Sequence, residues 1–403
     1  MKRKSIRKLV CCVTMAAALI LCSADTVFAS SGGEQTAAAQ QASKNITPDE
    51  ELQTISAQAY ILTEMQTGKV LYEKDADKSI FSSHFNKLMT LLLLSEKIKN
   101  GSISVGDSFT ATERANACND PQIWLDKGEK ITVDELIKSI TVGNANDAAV
   151  TIAENISGNE ESFVESMNKR SRTLGMNHTV FKDPTGVNKA NTTTPRDLSK
   201  LCAKLSRYEF LTPYLKTWLV KVRNAKAELV NSNRLVRNLA GITGMKACSS
   251  AENGSCGCVT VQSAGMKLCA VVVGCADSDK RDQDIKKLFK CGARSFQLYR
   301  PEIPGEMLEN IPVTGGEKLE CELEAENTPL VVIKRGTASQ LEVRMSREQL
   351  IKAPVEKGQK YAEYTLCYEK DPVCTVDIVS KESIEVMNWW CGVKKLLYNL
   401  IKL

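Results

Sequence analysis

One lysine inside an apolar stretch is the first feature of this 403-residue chain that suggests chemistry. Lys87 lies in the run from residue 80 to residue 94, where Met89, Leu92 and Leu93 recur at helical spacing. The run is apolar almost all round, which is typical of a helix in the middle of a domain. Burying an ammonium group is costly unless another group pairs with it. The stretch therefore predicts a buried helix whose amine belongs to a functional site.

The residues around Lys87 resemble a known catalytic motif. In penicillin-binding D-alanyl-D-alanine carboxypeptidases this helix reads Pro-Ala-Ser-x-Thr-Lys-x-Met-Thr, and here Lys87 is followed by Met89 and Thr90. The nucleophilic serine of the family stands three residues before the lysine, and that position is His84. The resemblance implies a serine peptidase like penicillin-binding protein 5, in which the nucleophile position is substituted.

A second motif follows the next predicted helix. Thr132 and Glu135 have the spacing of a capping box, which marks a helix start. That helix runs into Asn144-Ala145-Asn146-Asp147-Ala148, which is similar to the Ser-x-Asn-Asp-Ala motif of the family. Asn146 matches the motif asparagine, whereas the serine position is Asn144.

The third motif, Lys-Thr-Gly in the family, has two candidate alignments. Residues 242–244, Ile-Thr-Gly, match two of its three letters. The family also has a glycine just before the motif and Glu-Ala-Gly-Tyr-Cys after it. With Gly244 at that early glycine, Glu252 and Cys256 fall on their counterparts without a gap. We therefore take residues 246–248 as the motif, in which Lys246 is kept and Ala247 and Cys248 replace the threonine and the glycine.

The resemblance implies acyl transfer to a serine, followed by hydrolysis that releases the terminal D-Ala of a peptidoglycan stem peptide. In the family the first lysine takes the serine proton, the second serine relays protons, and the last motif holds the substrate carboxylate. In this chain a hydroxyl group is missing at all three motif positions, His84, Asn144 and Ala247. Losing a triad nucleophile lowers turnover by about 10⁶-fold in a well-studied protease. We therefore predict a catalytically impaired homologue at the cell wall that binds stem peptides or a partner in the old cleft.

Two other interpretations stay open. An active carboxypeptidase could use Ser83, which lies four residues before Lys87 and can share a helix face with it. Against this, a shift of one residue turns a side chain by ~100° around the helix, and Ser83 does not restore the other two hydroxyls. A cleft that binds nothing is the third interpretation.

The elements that must position these motifs form two predicted domains. Residues 57–72 read as a strand pair with a turn between, and the resemblance extends over about residues 50 to 380. It implies an α+β fold of the β-lactamase/transpeptidase type: an antiparallel sheet flanked by helices, plus a helical lobe, at residues 50–300. Lys246 is expected on a sheet edge that faces the lobe. Short strand-like runs at residues 301–380 predict a small all-β C-terminal domain.

The N-terminal residues predict export. Five basic residues precede an apolar run from Leu9 to Leu21 and a small-residue end at Ala29, which is the pattern of a secretory signal peptide at residues 1–29. An uncleaved membrane anchor is the alternative. Residues 30–49 are predicted to be a flexible spacer.

The C-terminal residues 383–403 predict an amphipathic helix. Apolar residues recur at steps of three and four, and Trp389 and Trp390 together with lysines suit a helix that lies on a membrane surface. A helix that docks on the β domain is the alternative.

Charge and composition exclude some functions. The formal net charge is +5, but most of the excess lies in residues 1–29, so the remainder is too nearly neutral to favour nucleic acid. The chain has two histidines, His84 and His178, and its 15 cysteines form no paired Cys-x-x-Cys motif, so neither a zinc site nor another cofactor is predicted. Pairing of the cysteines after export is possible, but we expect mostly free thiols.

Overall fold

The computed structural model describes residues 47–390 and 392–393. The predicted signal peptide and most of the predicted spacer lie outside the described residues. The spacer was predicted to reach residue 49, but Thr47 already caps the first helix through a hydrogen bond from the amide of Glu50. The helices are α1 (Pro48–Gln53), α2 (Asn86–Lys99), α3 (Glu113–Asn116), α4 (Val133–Thr141), α5 (Asn146–Ser157), α6 (Glu160–Thr173), α7 (Pro195–Leu205), α8 (Thr212–Lys216) and α9 (Ser278–Ser295).

A five-stranded antiparallel sheet forms the centre of the first domain, and three short two-stranded pairs accompany it. The strands of this domain are β1 (Ala59–Glu64), β2 (Val70–Lys74), β3 (Ile80–Phe81), β4 (Ser108–Thr110), β5 (Lys130–Thr132), β6 (Thr192–Thr193), β7 (Leu219–Val222), β8 (Ala227–Val230), β9 (Ile242–Ser250), β10 (Gly254–Ser263) and β11 (Met266–Cys275). The central sheet has the strand order β2-β1-β11-β10-β9.

The central sheet is buried on both faces. Along β11, Val271 and Val273 pack into the core shared with the helical lobe, whereas Ala270 and Val272 pack against α9. Since successive side chains of a strand point to opposite faces, this double burial explains the continuous apolar sequence of β11. The predicted antiparallel sheet with flanking helices and a helical lobe is confirmed.

The helix that carries Lys87 begins later than the apolar run that predicts it. Residues 80–81 form β3, residues 83–85 form one turn of 3₁₀-helix, and α2 begins at Asn86. Ser83 has a positive φ of 48°, which breaks the helical path before Asn86. The first turns of α2 are buried on every side, as the apolar sequence predicts.

The second domain is entirely β apart from two short 3₁₀ turns, and its core contains Ile311, Tyr364 and Ile378. The strands that follow α9 are β12 (Phe296–Tyr299), β13 (Ile311–Thr314), β14 (Glu320–Cys321), β15 (Leu323–Ala325), β16 (Val331–Lys334), β17 (Leu341–Arg347), β18 (Ile351–Lys352), β19 (Lys360–Tyr368) and β20 (Asp371–Ser380). A four-stranded sheet has the order β15-β20-β19-β17, and a three-stranded sheet has the order β14-β13-β18. The predicted all-β C-terminal domain is confirmed, while its exact boundary at residue 301 stays a prediction.

The predicted C-terminal helix does not begin at residue 383. Ile384 forms a β-bridge with Val355, and Val386 forms one with Gly316, so the chain is still extended there. The backbone groups of this segment complete the edge of the β domain, which overrides the helical spacing. Helical residues begin at Trp389, and most of the predicted helix lies outside the described residues.

All eleven cysteines of the described residues are free thiols. Ten are buried, and several line the face of the central sheet that meets the helical lobe. Cys202 of α7 contacts Cys258 and Cys269 there, and Cys256 stands opposite Cys248 across two neighbouring strands. These thiols pack as small apolar side chains.

Candidate active site

The three motif segments meet in one cleft between the helical lobe and the sheet edge. His84 and Lys87 come from the turn before α2 and from its first turn, and Asn144 and Asn146 from the loop before α5 and its first residue. Lys246 lies on β9, the edge strand of the central sheet, and its hydrogen bonds reach across to the lobe.

Lys87 is fully buried and has uncharged hydrogen-bond partners. Its Nζ lies 2.7 Å from Asn146 Oδ1, 2.6 Å from the carbonyl oxygen of Thr185 and 3.1 Å from His84 Nδ1. Burial lowers the pKa of Lys87 well below its ordinary value, and the nearby amine of Lys246 lowers it further. The ammonium form of Lys87 is therefore disfavoured relative to an exposed lysine.

His84 occupies the nucleophile position as a neutral imidazole. Burial, followed by the proximity of Lys87 and Lys246, lowers its pKa to about 3. Its Nδ1 is hydrogen-bonded to Lys87 Nζ, and the donor of this bond is set by the protonation states of the two groups.

A loop after α6 holds the His84 turn in place. The side-chain amide of Asn86 donates to the carbonyl oxygen of Asp183 and to Asn191 Oδ1, both at 2.8 Å. Gly186 of the same loop lies against the turn so closely that a Cβ atom there would stand 1.7 Å from the carbonyl oxygen of Ser83. Only glycine fits at this position, which also has a φ of +86°.

Ser83 is not among the hydrogen-bond partners of Lys87 in the described residues. Its side chain is buried and its hydroxyl is a hydrogen-bond partner of the Cys248 thiol. Burial raises the pKa of Cys248 to about 12, so this thiol stays protonated. Cys248, at the glycine position of the third motif, therefore acts as a packing group beside the turn.

Lys246 is the second buried amine of the cleft. Its Nζ donates to the carbonyl oxygen of Ile140 at 2.7 Å and to Asn144 Oδ1. Burial lowers its pKa to about 7, so its charge changes near neutral pH.

Asn144 links Lys246 to a loop that the sequence did not single out. It has a φ of +56°, a conformation that asparagine tolerates better than most residues. Its Nδ2 donates to Ser232 Oγ at 3.1 Å, and the Ser232 hydroxyl donates to the carbonyl oxygen of Ala247 at 2.6 Å. These bonds join the helical lobe to β9 across the cleft.

Asp147 is a second contributor that sequence reasoning did not assign. Its carboxylate is buried and accepts from the backbone amides of Ile123 and Leu125 at 3.0 to 3.1 Å. It thereby anchors a loop whose Pro121 carbonyl accepts from the amide of Asn146. The only sequence feature that could have singled out Asp147 is its position directly after Asn146. Its role was missed because its hydrogen-bond partners lie over twenty residues away in sequence.

The predicted site residues therefore lie in one region, and His178 lies elsewhere, with its amide bound to Asp197. The motif positions supply two amines, an imidazole and two amides to the cleft, while no hydroxyl of the described residues is hydrogen-bonded to Lys87. No group of three or more His, Cys, Asp or Glu side chains in the described part of the chain could hold a metal ion.

Comparison with known proteins identifies the fold and the family. A family model described as D-alanyl-D-alanine carboxypeptidase matches residues 42–277, and the model of the penicillin-binding protein 5 C-terminal domain matches residues 296–386. The chain belongs to the D-alanyl-D-alanine carboxypeptidase family. The family resemblance predicted from the sequence, to carboxypeptidases like penicillin-binding protein 5, is confirmed.

Similar proteins cover most of the chain. D-alanyl-D-alanine carboxypeptidase DacF of Bacillus subtilis is 29% identical over 334 residues, which are 82% of this chain and 86% of that protein. The carboxypeptidase DacC of Escherichia coli is 28% identical and covers 77% of this chain and 79% of its own. The structure of penicillin-binding protein 5 from Haemophilus influenzae has a TM-score of 0.74 at 24% identity, covering 82% of this chain and 98% of that one.

The lowered pKa of Lys246 predicts a pH-dependent stability. The unfolded lysine takes up a proton below ~10.4, whereas the folded one does so below about 7. Between these values protonation favours the unfolded chain, so this group makes stability rise with pH, by about 1.4 kcal/mol per pH unit. Urea unfolding at pH 7.5, 8.5 and 9.5 should give a slope that is lower by about this amount in Lys246→Met.

Asn144→Asp provides a second test of the same prediction, because it keeps the lysine and changes only its partner. The new carboxylate stabilises the ammonium form of Lys246, so the pH slope should also fall in this variant. Equal slopes in the wild type and Lys246→Met would show that Lys246 is an ordinary charged lysine.

Proposed function

We propose that this protein is a cell-wall homologue of the D-alanyl-D-alanine carboxypeptidases that has lost serine acylation and binds peptidoglycan stem peptides in the old cleft. The observation that carries the proposal is the 3.1 Å contact between Lys87 Nζ and His84 Nδ1. In serine acyl transfer a base must contact the hydroxyl that attacks. Here that base contacts an imidazole, and its other partners are an amide and a backbone carbonyl.

The other two motif changes support the same proposal. Asn144, at the position of the second serine, offers its amide oxygen to Lys246 and its amide N–H to Ser232. An amide cannot relay a proton as a hydroxyl does. Ala247 has no hydroxyl for a substrate carboxylate, and its carbonyl is occupied by Ser232. The first change removes a proton-relay group, and the second removes a group that binds the substrate carboxylate.

The alternative, an active carboxypeptidase that uses Ser83, has weaker support. The Ser83 side chain is buried beside Cys248, and the amine of Lys87 is engaged with three other groups. Recruiting Ser83 requires the turn to rotate, but Gly186 packs against the backbone of that turn. We therefore favour the non-acylating homologue.

Penicillin should leave no covalent adduct on the unmodified protein. The expected result of incubation with a penicillin is an unchanged intact mass, because no hydroxyl is placed beside a base. D-Ala release from a stem pentapeptide should stay at background. An adduct that maps to Ser83, or to any other residue, would overturn the proposal in favour of the active alternative.

Reversion provides the matched control. His84→Ser alone should restore little, because the two other hydroxyls are still absent and residues that act as a unit are not additive. The combination of His84→Ser, Asn144→Ser, Ala247→Thr and Cys248→Gly should restore penicillin acylation. Failure of this variant while it stays folded, judged by its urea transition, would mean that the motif changes do not explain the loss.

Binding separates a peptide-binding homologue from a cleft that binds nothing. Calorimetric titration of the unmodified protein with a stem pentapeptide should give a saturable heat, and the same peptide lacking both D-Ala residues should bind at least tenfold more weakly. Equal binding of the two peptides, or none, would leave the cleft without a role in recognition of D-Ala-D-Ala.

We further propose that the protein is exported and held at the outer face of the cytoplasmic membrane by its C-terminal residues. Trp389 and Trp390 support this, since they are stacked with ring centroids 4.3 Å apart and are 68% and 60% exposed. Exposed tryptophans are typical of membrane interfaces. Within the described residues no helix has the length and apolarity needed to span a membrane.

Deletion of residues 389–403 should release the exported protein from the membrane fraction. The deletion starts at Trp389 because the extended segment before it completes the β domain. Trp389→Ser with Trp390→Ser should weaken sedimentation with membranes, whereas Leu319→Ser, another exposed apolar residue, should not. Equal partitioning of truncated and full-length proteins would contradict the anchor.

A further inference from the structure

Strand β17 is an open edge of the four-stranded sheet in the second domain. It pairs with β19 along all seven of its residues, from Leu341 to Arg347. Its other side pairs with no strand in the described part of the chain. Such an edge presents a row of free backbone N–H and C=O groups to any extended segment that can pair with it.

The apolar side chains of this edge are uncovered. Val343 stands opposite Leu366 and Met345 opposite Tyr364, and both of these partners belong to the core of the domain. Yet Val343 is 42% exposed and Met345 is 49% exposed. The apolar face of the sheet thus continues to the edge strand without a covering layer there.

We propose that β17 pairs with β17 of a second copy of this chain, antiparallel and centred on Val343. In this arrangement Val343 stands opposite itself, and Leu341 stands opposite Met345 on the same apolar face. On the other face Glu342 stands opposite Arg344, twice by symmetry. The order Leu-Glu-Val-Arg-Met is therefore complementary to itself when it is reversed.

Charge selects this register over its neighbours. Centring the pair on Arg344 would place two arginines opposite each other, and centring it on Glu342 would oppose two glutamates, which is unfavourable in a strand pair. Sliding one strand by one residue relative to the other would place apolar side chains of one copy opposite charged side chains of the other. A second copy thus matches this edge in both shape and charge, and the inference does not depend on the function of the cleft.

Disulfide trapping in the full chain tests the register. Val343→Cys should form an intermolecular disulfide under air oxidation, because directly opposed strand residues have Cα atoms within reach of such a bond. In Arg344→Cys the two new thiols are offset by two residues, or ~6.6 Å along the strands, and should not link. The wild type gives the background, since its described thiols are buried apart from the half-buried Cys374.

Charge exchange tests the same contact without new thiols. Glu342→Arg and Arg344→Glu should each raise the dissociation constant of the dimer by about tenfold in analytical ultracentrifugation, because each variant places like charges opposite each other twice. The double variant exchanges the two charges and should restore the wild-type constant. Absence of a Val343→Cys link, equal linking of Arg344→Cys, or a double variant as weak as the single ones would overturn the proposal.

Discussion

The cost of burying two amines without a carboxylate partner is the constraint around which this cleft is organised. Lys87 and Lys246 are both withdrawn from water, and each is satisfied by amide and carbonyl oxygens. Burial and the nearby amine of Lys246 lower the pKa of Lys87 well below its ordinary value, and burial lowers the pKa of Lys246 to about 7. The two asparagines supply the oxygens that keep these amines buried, and their exchange for apolar residues would leave donors without acceptors.

This constraint explains how the motif positions differ while the scaffold persists. Asn144 still holds Lys246, although the position carries an amide in place of a hydroxyl. His84 still contacts Lys87, and the loop around Gly186 still fits closely over the turn. The requirements of packing and hydrogen bonding are therefore met by side chains that differ from the family motif. These substituted side chains are compatible with the fold that the chain shares with penicillin-binding protein 5 from Haemophilus influenzae.

Motif order and spacing were sufficient to predict the fold and to locate the cleft, because each motif keeps its distance to a helix start or a strand. Lys246 could be placed by its register with Gly244 and Cys256, and the structure has it on the sheet edge. Ser232 could not be found, since it reaches Asn144 from 88 residues away and its loop has no distinctive pattern. The helix predicted from residue 383 began too early because β-bridges of Ile384 and Val386, which depend on tertiary contacts, override local periodicity.

The buried thiols of the central sheet can report how often the first domain opens. Cys256, Cys258 and Cys269 are buried beneath the packed lobe. Burial raises the pKa of Cys256 and Cys258, and the hydrogen bond with Cys202, together with burial, raises the pKa of Cys269, so the reactive thiolate of these three residues is scarce in the closed structure. A thiol reagent reaches them only when the lobe and the sheet part. The rate at which the reagent modifies these thiols therefore measures the frequency of local opening, without an added label.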